Sequence, residues 1–169
     1  IHKSHSIWEE VLSPGDHVID ATCGNGYDTL FLANCVDLER GGKIFAFDIQ
    51  EKALLATKKR LTAHFSEKIV EKNVCFLKQC HSTFPLMERG VKLIVYNLGY
   101  LPGGGNKMLT TCVPTTLKSL ASALNMICFK GVLSVMCYPG HSEGKRELKA
   151  VLRFCKALDP KKYFVENHS

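Results

Sequence analysis

Short apolar runs alternate with amphipathic stretches along this chain. Val18-Ile19-Asp20-Ala21 and the runs 43–48, 74–77, 92–96 and 132–137 are brief, apolar on both faces, and rich in β-branched or aromatic residues. A strand that reads as apolar without strict alternation is covered on both sides, as in a parallel sheet flanked by helices. Between these runs the period changes to that of a helix. Residues 28–36 carry Leu30, Phe31, Leu32 and Ala33, and 52–65 place Ala53, Leu54, Ala56, Leu61 and Phe65 on one face with Lys58, Lys59 and Arg60 outward. Residues 115–129 follow Pro114 and repeat Leu117, Leu120, Ala121, Leu124 and Ile127; residues 142–158 turn Leu148, Val151, Leu152 and Cys155 inward. This βαβ alternation predicts an α/β fold: a Rossmann-like, doubly wound, mostly parallel sheet with helices on both faces. With 169 residues and no repeat, low-complexity tract or internal linker, the expectation is a single domain over 1–169.

Composition narrows the class. Apolar residues make up 46% and charged residues 22%, an ordinary globular mixture, and no apolar stretch approaches the roughly 18 residues of a membrane span. The formal charge of +6 is compatible with a polyanionic partner without requiring one. Eight cysteines are present, but most lie inside apolar runs, where a thiol behaves as a small hydrophobe. No Cys-x-x-Cys pair occurs, so no metal site is expected and the thiols point to a reducing, intracellular compartment. The chain begins at Ile1 rather than Met; a transit peptide ahead of it would move the expected compartment from cytoplasm to chloroplast or mitochondrion. Oligomeric state is left open, a homodimer among the options.

The segment with most chemistry follows the first apolar run: Asp20-Ala21-Thr22-Cys23-Gly24-Asn25-Gly26-Tyr27-Asp28-Thr29. A buried strand ends in an acid and a Gly-x-Gly turn opens a helix, which lets the backbone approach a ligand closely. In open α/β sheets ligands bind beyond the carboxyl ends of the strands, near the topological switch. A dinucleotide site is disfavoured: Thr29 stands where the third glycine of G-x-G-x-x-G belongs, and Asp20 would repel a pyrophosphate. S-adenosylmethionine carries an ammonium and a sulfonium, which turn nearby carboxylates into favourable partners. Asp20, Cys23, Gly24, Asn25, Gly26, Asp28 and Thr29 are therefore expected at that cofactor. Asp48 ends the second run 22 residues after Gly26, where an acid accepts ribose hydroxyls; a helix cap is its plain alternative. Ile49 and Gln50 adjoin it, and Cys80-His81 follow the third run where adenine contacts lie, with a structural histidine as the alternative.

The fourth run leads into Asn97-Leu98-Gly99-Tyr100-Leu101-Pro102-Gly103-Gly104. Asn-x-x-Tyr is similar to the Asn-Pro-Pro-Tyr motif of amino-nitrogen methyltransferases, in which the amide accepts hydrogen bonds from the target amine and the ring stacks on the base. Asn97 and Tyr100 are the catalytic candidates, Asn97 bordering the cofactor as well. Leu98, Gly99, Tyr100 and Pro102 are expected at the substrate, joined after the fifth run by Tyr138, His141 and Lys145. His141 reads equally as a base, a substrate contact or a loop histidine without a role. Lys145, Arg146, Lys149, Arg153 and Lys156 read either as phosphate contacts or as a solvated helix face.

These strings, with Phe47-Asp48-Ile49-Gln50 and Gly140-His141-Ser142-Glu143-Gly144-Lys145, resemble a family labelled rRNA methylases, within the class I methyltransferase fold. The likeness runs over about 11–165. The resemblance implies methylation of the aminomethyl group of 5-aminomethyl-2-thiouridine at the tRNA wobble position, with the anticodon arm as partner. It places Asn25, Asp28, Asp48, Gln50 and His81 at the cofactor and the fourth-strand loop at the substrate. Gly103-Gly104-Gly105-Asn106-Lys107 lacks the acid of the family's Gly-Gly-Asp-Lys. The family also continues beyond a Tyr163-Phe164-Val165 strand into a last antiparallel strand, so a sheet short of its C-terminal strand, with an open edge, is expected. Methylation of rRNA or another amine, and a cofactor-binding module without catalysis, are the alternative functions.

Overall fold

The computed structural model describes residues 2–85, 90–100 and 110–168. Five strands, β1 His17–Asp20, β2 Lys43–Asp48, β3 Val74–Lys78, β4 Val91–Leu98 and β5 Ile127–Cys137, form one sheet in the order β3-β2-β1-β4-β5. Every pairing is parallel. All five carboxyl ends therefore open on one edge, and the switch in strand order falls between β1 and β4, where Ile19 pairs with Ile94 and Asp20 with Val95. β1 and β4 are buried nearly throughout because helices cover both faces, as their unbroken apolar pattern predicts.

One face holds α1 His2–Val11, α2 Tyr27–Val36, α3 Glu51–Thr62 and α4 Glu67–Asn73. Their Trp8, Leu32, Val36, Leu61 and Val70 pack with Val18, Ile44 and Leu93. The other face holds α5 Val113–Met126 and α6 Ser142–Lys156, whose Leu120, Ala123 and Val151 pack with Ile19, Phe47, Ile94 and Tyr96. Burying such side chains is worth about 1.5–3 kcal/mol each, so both layers are tied to the sheet by the hydrophobic effect.

Several boundaries differ from the sequence expectation. α1 and α4 were not anticipated; α1 carries the 7-8-11-12 apolar spacing, and α4 opens at Ser66, whose hydroxyl accepts from Ile69 N–H at 3.4 Å. That new cap explains why α3 ends at Thr62 rather than at residue 65. α5 ends at Met126, not 129: Ile127 pairs with Val91 and begins β5, and the register then shifts so that Leu93 meets Val132. Arg60 does not point outward but folds back onto the glycine loop. Tyr163-Phe164-Val165 forms no strand, and Phe164 is 87% exposed. β3 and β5 are the edges of the described sheet. No helix among the described residues is long and apolar enough to cross a membrane, and their cysteines are all free.

Candidate functional site

The carboxyl edge gathers the residues singled out above. Between β1 and α2 the chain turns through Gly24 (φ 52°) and Gly26 (φ 78°), angles that other L-residues rarely adopt. Gly26 is also sterically required, since a Cβ there would lie 2.7 Å from Thr57 Cα. α3 supports the turn from behind: Thr57 Oγ1 donates to Gly24 O at 3.1 Å, Arg60 Nε donates to Asn25 O at 2.8 Å, and the Arg60 guanidinium lies 3.6 Å from the Tyr27 ring centre. Cys23 is buried, its N–H donating to Phe47 O at 2.8 Å; burial pushes its thiol well up, so it stays protonated.

Asp20 is buried beneath the turn. It accepts from Thr29 Oγ1 at 2.7 Å and from Thr22 N–H at 3.2 Å, yet desolvation dominates and its pKa is pushed up to about 7. Asp20 and Thr29 thus form the floor of the loop and not its ligand-facing rim, because each side chain satisfies the other inside the fold. Asp48 stands at the rim. Its oxygens accept from Gly24 N–H at 3.1 Å and Gln50 N–H at 2.8 Å, and Ile49 N–H donates as well, which orients the carboxylate. Burial raises its pKa. Beside it Ile49 is exposed and Gln50 half-buried, an apolar surface and an amide next to an acid.

Cys80 is half-buried after β3, its sulfur accepting from Ser82 N–H at 3.5 Å. His81, expected to be a cofactor contact, instead turns into the core. Its ring meets Tyr96 edge-on at 5.7 Å between centres, its carbonyl accepts from Ser119 Oγ at 2.7 Å, and burial lowers its pKa to about 4. The ring is neutral, and its Nδ1 is buried without a hydrogen-bond partner.

Asn97, at the end of β4, is the hub. Its N–H donates to Thr22 Oγ1 at 2.7 Å, its amide nitrogen donates to Asp28 Oδ2, and its amide oxygen accepts from the Tyr138 hydroxyl at 3.3 Å. A carboxylate only accepts, so Asp28 fixes which end of the amide faces it and turns the oxygen toward Tyr138. The other Asp28 oxygen pairs with His5 Nε2 at 2.6 Å, and the His5 ring stacks on Phe31 at 3.8 Å. His5 escaped the sequence reading because α1 did; the apolar spacing around Trp8 was the available signal.

The remaining candidates separate. Leu98 leaves the substrate side, being 1% exposed in the core behind β4, since alternation along the strand sends it opposite to Asn97. Gly99 (φ 143°) faces open space, with its N–H on Thr111 Oγ1 at 2.8 Å. Tyr100 is exposed, 5.9 Å from the His141 ring. His141 is the N-cap of α6: Nδ1 accepts from Gly144 N–H at 3.1 Å, while Nε2 is buried without a partner, so neither nitrogen is placed as a base. Gly144 fits only as glycine, since a Cβ would fall 2.1 Å from Tyr138 O. Lys145 is exposed one turn into α6. Pro102 and Gly103-Gly104-Gly105-Asn106-Lys107 lie outside the described residues. No cluster of metal-ligating side chains occurs among the described residues.

The chain is similar to known proteins in sequence and fold. Residues 44–169 match the family described as "Putative rRNA methylase". This chain belongs to that family. It is 40% identical over 162 residues to the tRNA (mnm(5)s(2)U34)-methyltransferase, chloroplastic, of Arabidopsis thaliana, covering 92% of this chain and 58% of that one, so it spans less than two thirds of that relative. A "putative rRNA-methylase" structure from Clostridium thermocellum superposes with a TM-score of 0.89 at 37% identity, covering 98% of this chain and 86% of the other. A "putative methyltransferase" from Streptococcus mutans, solved in complex with SAH, superposes with a TM-score of 0.78 at 34% identity, covering 95% and 82%. The fold is that of class I methyltransferases.

Proposed function

We propose that this chain is a methyltransferase that uses S-adenosylmethionine to methylate the aminomethyl nitrogen of 5-aminomethyl-2-thiouridine at the tRNA wobble position. The observation that carries the reading is Asn97, held at the switch between β1 and β4 with its amide oxygen turned out of the Asp28 contact. The edge fits the cofactor by its chemistry. Asp48 offers acceptors for ribose hydroxyls, Ile49 an exposed apolar surface for a base, the glycine turn a close backbone approach, and Asp28 a negative charge for an ammonium. When bound, S-adenosylmethionine supplies an electrophilic methyl on a sulfonium, whose positive charge also disfavours protonation of a neighbouring amine.

The chain's own residues orient the nucleophile. An unperturbed alkylamine has a pKa near 10.4, leaving roughly one molecule in 10³ neutral at pH 7. Asn97 is uncharged and acts as an acceptor for the amine N–H, which fixes its lone pair. The 3.3 Å bond from Tyr138 is long for O–H···O and exposed, so an incoming amine displaces it at small cost. Burial and the Asp28 charge raise the Tyr138 pKa, so its phenol donates and does not serve as base. Alignment of this kind contributes up to about 7–11 kcal/mol in well-oriented systems. Exposed Tyr100 is suited to stacking on the splayed base.

The name of the Arabidopsis relative supports the tRNA target and a chloroplast setting. The test is transfer of labelled methyl from S-adenosylmethionine to bulk tRNA, followed by nucleoside mass spectrometry. Label in 5-methylaminomethyl-2-thiouridine is the expected result. Label in rRNA alone moves the target, and no label in any RNA despite cofactor binding reduces the chain to a binding module.

A further inference from the structure

Much of the basic excess of this protein lies on α6 and the residues just after it. Residues 142–162 hold seven Lys and Arg against three acids, in a chain whose whole excess is +6. One of the three, Glu147, is turned inward and buried against Thr111 and Thr116, so it does not offset the surface charge. Lys145, Lys149, Arg153 and Lys156 recur at intervals of four, four and three, which places them on one stripe of α6, and all four are exposed. The stripe runs about 16 Å from Lys145 to Lys156, with neighbours roughly 5–6 Å apart along the axis.

Several cations outside α6 are paired with carboxylates. Lys58 lies 3.6 Å from Glu71 and 3.8 Å from Glu67, and Lys78 lies 2.8 Å from Glu51. On α6, Arg146 pairs with Glu143 at 3.5 Å, whereas no carboxylate lies within ion-pairing distance of the four stripe residues among the described ones. Four like charges without counter-charges repel one another, and a polyanion removes that repulsion. The stripe also begins at the candidate site. Gly144 packs on the Tyr138 carbonyl, Tyr138 bonds Asn97, and His141, the cap of α6, faces Tyr100. Two exposed aromatic rings thus stand at the head of a track of free cations, the pairing that single-stranded RNA reading uses.

We infer that the Lys145–Lys149–Arg153–Lys156 stripe of α6 binds the phosphate backbone of the RNA arm whose base enters beside Asn97. This rests on the RNA-methyltransferase reading and adds the surface that docks the RNA. The stripe provides orientation and affinity without base specificity, since phosphate contacts carry no sequence information. The face of α3 and α4, where Lys58 is paired and Glu67 and Glu71 lie among the lysines, stays off the RNA.

The test compares two charge-matched triple variants of the full chain. Lys149→Gln/Arg153→Gln/Lys156→Gln removes three stripe charges; Lys59→Gln/Lys68→Gln/Lys72→Gln removes three from the α3–α4 face. Binding of unmodified bulk tRNA is measured from 50 to 300 mM KCl, with S-adenosylmethionine titration as the folding control. Each lost phosphate contact lowers the slope of log K against log salt by about 0.7–0.9. The stripe variant is expected to lose about 2–3 from that slope and to bind tRNA at least tenfold more weakly at 100 mM, while the α3–α4 variant keeps the slope of the parent. Equal losses in both variants reduce the effect to net charge and overturn the inference. So does an unchanged slope in the stripe variant, or a parent chain with no salt-dependent tRNA binding. Methyl transfer is read separately: an intact stripe effect without transfer sinks the enzymatic reading alone, and transfer with an indifferent stripe sinks this inference alone.

Discussion

Two buried side chains near the crevice resist their usual ionisation, and they pull in opposite directions. Asp20 is pushed from 3.8 to about 7, chiefly by burial, with Asp28 and Asp48 adding repulsion. Between these values the native protein keeps a proton that the unfolded chain releases, so the stability contributed by neutral Asp20 is full below about pH 4 and is lost as pH rises to about 7. His81 is lowered from 6.5 to about 4 by burial, so the unfolded chain takes up a proton first, and stability is lost as pH falls through that window. The two slopes offset each other in the parent protein. Asp20→Asn keeps an acceptor for Thr22 N–H and removes one slope. The variant is therefore expected to gain on the parent as pH rises from 5 to 7, by up to about 1.4 kcal/mol per pH unit. Urea unfolding of both proteins at three pH values checks this. A difference independent of pH removes Asp20 from the titration; the raised pKa of Asp48 is common to both and cancels.

At the scale of elements, the strands with unbroken apolar runs were legible in the sequence, and β2 spans the run 43–48 without change. The glycine turn was legible because its geometry is local: two positive φ angles and an acid on either side. What was not legible depended on tertiary contact. The sequence does not say that Arg60 folds over Tyr27, that Leu98 faces inward while Asn97 faces out, or that His81 serves Tyr96 in the core. α1 shows how such a contact reaches the site, because His5 holds one oxygen of Asp28 while Asn97 holds the other. Loss of the His5 donor frees Asp28 to rotate and the Asn97 amide with it. His5→Ala is expected to lower turnover about tenfold, equivalent to about 1.4 kcal/mol. Cofactor affinity should change less than threefold, and His5→Gln, which retains a donor, should recover part of the loss. Calorimetric titration beside single-turnover transfer separates the two quantities. Equal losses in both would make α1 a mere cofactor cover.

At the scale of the molecule, the crevice opens at the switch between β1 and β4, and its geometry depends on how firmly the β4–β5 half of the sheet is tied to the helices that cover it. Glu147 is the tie. It is 1% exposed, and its oxygens accept from Thr116 Oγ1 at 2.6 Å and Thr111 Oγ1 at 2.7 Å, joining α6 to α5 and to the segment that returns after β4. Thr111 carries the tie onward, since its hydroxyl accepts from Gly99 N–H at 2.8 Å and its N–H donates to Gly99 O at 3.0 Å, two residues from Asn97. A buried carboxylate with two hydroxyl donors is costly to break, because its removal leaves both donors without acceptors in a closed space. Glu147→Ala should therefore cost about 3 kcal/mol in urea unfolding with an unchanged m-value. Glu147→Gln, which still accepts from one threonine, should cost less than half of that. The alanine variant should also lose turnover beyond what its folded fraction explains, because Gly99 and Asn97 are no longer held against α6. A loss under 1 kcal/mol would mean that the apolar contacts of Leu120 and Val151 hold this half without the buried acid.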